Sequence, residues 1–89
     1  MFSPELFRLA ERLGASLKAG NVTDAIDQYV AGTGATLPDS TRFIECMVSG
    51  QVIEAMKAHR QATGAGIAEA KTLVLCTASA SGNPVEFDW

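Results

Sequence analysis

The sequence predicts an all-α fold of five short helices, made of an N-terminal helix, two related helical hairpins and an extended C-terminal tail. Three observations carry this expectation. Apolar residues recur at three-to-four spacing along most of the chain, which is the period of a helix with one buried face. Glycines stand where those apolar stripes end. The chain also resembles itself after a shift of thirty residues, so that 20–49 lies over 50–79 without a gap. Identities fall at Gly20/Gly50, Val22/Val52, Ala25/Ala55, Thr33/Thr63, Gly34/Gly64, Ala35/Ala65, Cys46/Cys76 and Ser49/Ser79. Glycine and alanine matches are cheap in this composition, but the chain has only two cysteines and they coincide.

The elements follow in order. Ser3 can cap and Pro4 can open a helix over 4–19, with the stripe Leu6, Leu9, Ala10, Leu13 and Leu17 and with Gly20 as its stop. Gly14 inside it costs about 1 kcal/mol relative to alanine, which reads either as close packing or as a weaker helix. The first hairpin unit, 20–49, carries one stripe of Val22, Ala25, Ile26, Tyr29 and Val30 and a second of Leu37, Phe43, Ile44, Met47 and Val48. The second unit, 50–79, carries Val52, Ile53, Met56 and His59, then Ile67, Ala70, Leu73, Val74 and Thr77. Gly34 and Gly64 close the first helix of each unit, and Pro38 is tolerated at the start of the next. The tail, 80–89, is a Ser/Gly/Asn/Pro linker followed by the alternating Val85, Phe87 and Trp89, an extended segment whose apolar face is expected to fold back on the helices, the alternative being that it binds a partner. The competing α+β reading makes 42–48 a strand and pairs it in a small sheet with 84–88; the repeat, which sets 42–48 over 72–78, assigns helix instead.

Size and charge narrow the function classes. A chain of 89 residues, 47% hydrophobic and 19% charged, forms one domain around one core, 1–89, with little room for a deep catalytic cleft beside its scaffold. The net charge of −3 disfavours a nucleic-acid partner held by bulk electrostatics. No apolar run approaches the ~20 residues of a membrane span, and no secretory leader pattern opens the chain, so the expectation is a cytoplasmic protein. Charge is uneven: Asp24, Asp27, Asp39 and Glu45 make the first unit acidic against Arg42 alone, whereas Lys57, Arg60 and Lys71 outweigh Glu54 and Glu69 in the second.

Few residues suggest chemistry. Cys46, Cys76 and His59 lack the close ligand pair of a zinc site, so no metal and no cofactor are expected. His59 has no assignable nucleophile and orienting acid, and reads as a partly buried helix residue; no catalytic residue is assigned and the chain reads as a non-enzyme. Gly64-Ala65-Gly66 precedes a helix but lacks the third glycine or the Lys-Ser/Thr of a phosphate loop, and the following helix offers Lys71 and Thr72 without Arg, Asn or Gln for base edges.

One stretch has a family likeness. Arg60, Ala62-Thr63-Gly64, Gly66, Glu69-Ala70-Lys71 and Leu73-Val74 resemble the helix-turn-helix of the C-terminal domain of the bacterial ribosomal stalk protein, over about a quarter of the chain (51–75). The resemblance implies a helical hairpin that docks protein partners, in that family the translational GTPases. It places Ile53, Lys57, Arg60, Ile67, Glu69 and Lys71 on the partner-facing surface. The resulting expectation is a non-enzymatic protein-interaction module, a small bacterial or phage regulator or inhibitor docking on a larger protein machine through the 51–78 hairpin. A ribosome- or nucleic-acid-associated factor is the alternative, and apolar helices in so small a chain are compatible with a homodimer.

Overall fold

The computed structural model describes residues 4–82, and over them the chain is all-α. Its helices are α1 (Pro4–Lys18), α2 (Val22–Thr33), α3 (Leu37–Val48), α4 (Val52–Thr63) and α5 (Ile67–Ala80), with no strand among the described residues. Residues 42–48 lie within α3, so the reading that made them a strand is set aside. The periodicity explains why: Phe43 and Ile44 are both buried and Met47 packs beside them, a pattern that fits 3.6 residues per turn and not two. Ser3 and the segment 83–89, with the proposed helix cap and the extended tail, lie outside the described residues.

The thirty-residue period is visible in the backbone. The second unit's helices begin thirty positions after the first unit's, and α2 and α4 are both 12 residues long. Each ends on a left-handed glycine, Gly34 at φ 73° and Gly64 at φ 72°, whose amide donates to the carbonyl of Val30 and Arg60 respectively. A threonine braces both ends in the same way. Thr33 Oγ1 donates to the Tyr29 carbonyl at 2.7 Å and Thr63 Oγ1 to that of His59 at 2.8 Å, while each accepts from the amide two residues on, Ala35 or Ala65, at 3.2 Å. The threonine thus satisfies backbone groups that the end of a helix leaves over. The same period reaches back into α1: the Gly20 and Asn21 amides close its end on Leu17 and Ser16, as the Gly50 and Gln51 amides close α3 on Met47 and Cys46.

The two units differ at their helix starts. The Asn21 side chain accepts from the Asp24 amide and Thr36 from that of Asp39, whereas Gln51 and Gly66 at the matching places make no side-chain cap. Side-chain caps contribute about 1 kcal/mol each, so the later unit relies more on tertiary packing.

That packing ties the units into one body. The most extensive helix contacts are α1 on α5, which joins the two ends of the described chain, and α3 on α4, which crosses from one unit to the next. At the centre, Tyr29 of α2 stacks on Phe43 of α3 at 4.5 Å between ring centroids, and His59 of α4 meets both rings at 5.7 and 5.8 Å. Around them are Leu13, Ile44, Leu73 and Val74, all fully buried. Four residues of the predicted stripes escape this core. Leu37 and Ile67, the first residues of α3 and α5, are 60% and 58% exposed because they begin a helix before it reaches its neighbours. Val48 at the end of α3 and Ile53 at the start of α4 are exposed as well.

Gly14 has a packing role. A Cβ built there would lie 2.3 Å from Ala80 Cβ and 2.8 Å from the Ala80 carbonyl carbon, so the absence of a side chain is what lets α1 meet the end of α5. Replacing Gly14 with alanine should gain helix propensity of about 1 kcal/mol but force the two backbones apart, for a net loss of about 1–3 kcal/mol in urea denaturation. Gly64→Ala, strained only by its left-handed φ, should cost about 1 kcal/mol. A neutral Gly14→Ala would show that α1 and α5 are not in close contact.

Candidate functional site

The surface expected to face a partner is built mainly on α4. Ile53, Lys57 and Arg60 are spaced by four and then three residues, which places them along one face of the helix, and all three are exposed. Lys57 and Arg60 line a shallow indentation of about 290 Å³ with Gln61. Lys57 Nζ lies 3.6 Å from Glu54 Oε1 in an exposed pair, a kind of interaction that contributes little to stability. Arg60 makes no ion pair among the described residues. Ile67 is exposed at the start of α5, and Lys71 is half-exposed and engaged in a contact of its own.

Glu69 belongs to a different place. It lines a cleft of about 590 Å³ between α1, α2, the end of α4 and the first turn of α5, together with Glu5, Arg8, Arg12, Gln28 and His59. Leu6, Leu9, Ala31, Gly32, Thr33 and Thr63 complete the wall. Among its charged and titratable residues, the sequence alone raises only Glu69 and His59 as candidate site residues. Arg8 and Arg12 are one helical turn apart on α1, and that spacing was a legible sign that they share a face.

His59 is the unusual member of this wall, at 2% exposure. Its Nδ1 is hydrogen-bonded to Tyr29 Oη at 2.5 Å, across the thirty-residue offset, so the equivalent positions of the two units touch each other. Burial and the Asp39 carboxylate hold the Tyr29 hydroxyl well above its ordinary pKa, so it keeps its proton, and its bond to Nδ1 is satisfied when the hydroxyl donates. Burial also lowers the His59 pKa, against an opposing pull from Glu69, which keeps the ring neutral near pH 7. A neutral ring that accepts at Nδ1 carries its proton on Nε2. That N–H is buried and has no hydrogen-bond partner.

A second orphan lies in the same wall. The Gln28 amide nitrogen donates to Asp24 Oδ2 at 2.6 Å and to Ser16 Oγ at 3.1 Å, and Ser16 Oγ itself donates to Asp24 Oδ2 at 2.8 Å. This network fixes the amide with its Oε1 turned away, buried and without a partner. The cleft therefore combines a buried donor, a buried acceptor, two guanidiniums and two carboxylates.

No protein-family model, curated protein or solved structure matches this chain. Among the described residues no group of three or more His, Cys, Asp or Glu side chains converges as a metal site, and both cysteines are free and half-buried. No described helix is long and apolar enough to cross a membrane.

The state of His59 sets an acid limit on stability. Its folded pKa lies below the ordinary 6.5, so on acidification the unfolded chain takes up the proton first. The stability His59 confers is complete above pH ~6.5 and declines as pH falls from there toward the folded pKa, by at most ~1.4 kcal/mol per pH unit. His59→Gln should flatten urea stability between pH ~6.5 and ~5.5, above the range in which ordinary carboxylates titrate. Tyr29→Phe should cost about 1–3 kcal/mol, since it leaves Nδ1 without its donor, and should alter the tautomer seen in imidazole nitrogen shifts by NMR.

Proposed function

We infer that the protein is a non-enzymatic interaction module, a small cytoplasmic regulator or inhibitor of bacterial or phage origin that docks on a larger protein machine. The observation that carries this reading is the outer face of α4, where Ile53, 43% exposed, lies in line with Lys57 and with an Arg60 that has no ion pair among the described residues. Arginine is among the residues that protein interfaces concentrate at their centres, and Ile53 adds apolar area in line with it. Ile67 adds apolar area where α5 begins.

The likeness of this hairpin to the ribosomal stalk domain supports the same reading. In both, two helices meet at a Thr-Gly-x-Gly turn and present charge and aliphatic side chains outward; here the turn is Thr63-Gly64-Ala65-Gly66. The partner chemistry that suits the face is an acidic protein surface with an aliphatic pocket. The net charge of −3 would oppose such a partner at long range, so recognition depends on the local cations and the binding is salt-sensitive only in proportion to them.

Affinity capture from a bacterial host with the wild-type chain and with Lys57→Glu/Arg60→Glu tests the assignment. The double variant changes two exposed side chains and should fold normally by circular dichroism, yet lose its protein partner by tenfold or more in affinity. A folded double variant that keeps its partner unchanged would remove this face from consideration. Capture of RNA or DNA that is lost steeply with added salt would favour a nucleic-acid-associated factor instead.

A further inference from the structure

The cleft between α1, α2, α4 and α5 lies apart from the α4 outer face and is furnished in a way that docking does not use. Arg8 and Arg12 stand one turn apart on α1, both exposed and neither in an ion pair among the described residues. Glu5 and Glu69 line the same cleft, so with His59 neutral the formal charges of its wall cancel. An inorganic anion would meet as much repulsion as attraction there. A molecule with a separated positive and negative end would meet attraction twice.

The inner wall says what should lie between those ends. His59 Nε2–H is a donor and Gln28 Oε1 an acceptor, both buried and both unpaired. Such groups cost about 1–3 kcal/mol each when left unsatisfied, so an occupant that pairs them recovers that penalty. A secondary amide offers what the two atoms lack, a carbonyl for the histidine and an N–H for the glutamine. The volume of about 590 Å³ lies within the range of small-molecule sites and exceeds what a single small amino acid fills.

We propose that this cleft binds a dipeptide-sized zwitterion, its carboxylate on Arg8 and Arg12, its ammonium on Glu69 and Glu5, and its amide between His59 Nε2 and Gln28 Oε1. Both orphan atoms lie behind the solvent-accessible surface, so the amide reaches them as the lining side chains part, a rotamer-scale adjustment common on binding. The apolar Leu6, Leu9 and Ala31 in the wall suit small aliphatic side chains on the ligand.

The test uses L-alanyl-L-alanine as the probe, titrated into the full chain and followed by calorimetry and by the His59 imidazole signals in NMR. Binding should move those signals, and blocking either end, by N-acetylation or C-terminal amidation, should weaken it at least tenfold. Arg12→Gln should weaken the free dipeptide and leave the amidated one unchanged, and Glu69→Gln should do the same with respect to acetylation. Lys57→Glu/Arg60→Glu should bind the dipeptide as wild type does, which separates this site from the docking face. No shift of His59 at ~10 mM dipeptide, equal binding of the doubly blocked peptide, or equal binding of inorganic phosphate would each overturn the proposal.

Discussion

The hydrogen bond between Tyr29 and His59 is the interaction around which the rest of the molecule is arranged. It joins α2 to α4, and the two residues are also packed against Phe43 of α3, so three of the five helices converge on it. A buried phenol and a buried imidazole would each be costly alone, and together each supplies what the other lacks. The pair also holds the imidazole in one tautomer. That tautomer leaves an unpaired N–H on Nε2 of a residue that lines the cleft, so a choice made in the core sets which polar group stands behind the cleft wall.

The thirty-residue period explains why these two residues meet. Gly34 and Gly64, with Thr33 and Thr63 bonded back to the carbonyls of Tyr29 and His59, end α2 and α4 with the same geometry. The most extensive helix packing, however, is not inside either unit but between α3 and α4 and between α1 and α5. Each unit therefore leaves part of its apolar surface for its neighbour to cover, as stacked repeats do. Gly14 belongs to the same logic, because α1 covers the open side of α5 only where a missing side chain allows close approach.

Much of the architecture was legible in the chain. Apolar spacing and glycine punctuation locate all five described helices, and the repeat decides 42–48 in favour of helix where a short apolar run alone could not. What the stripes overstate is burial near helix ends: Leu37, Ile53 and Ile67 in the first turns and Val48 at the last position of α3 belong to the stripes but are exposed. The cleft was largely hidden. Its charged residues come from α1 and from the first turn of α5, distant in sequence, and only the α1–α5 packing brings them together. Gln28 gave no signal because its role depends on Asp24, one turn earlier on α2, and on Ser16, which reaches it across the α1–α2 turn. Glu69 was read as part of the hairpin's outer surface, though the fold places it in the cleft wall.

The asymmetry between the units is where function can enter a duplicated scaffold. Two tyrosines at 29 and 59 could share one hydroxyl bond and leave little over, whereas two histidines would bring a pair of titrating rings into the core. The observed tyrosine–histidine pair satisfies the phenol completely and the imidazole by half. The remaining half, Nε2–H, lies in the wall of the cleft that α1 closes, beside the one carboxylate of α5's first turn. In the first unit the matching position holds the fully satisfied tyrosine, facing Asp39 through its charge alone. Divergence at a single pair of equivalent positions thus leaves the common core intact and gives one unit a polar group that the other does not have.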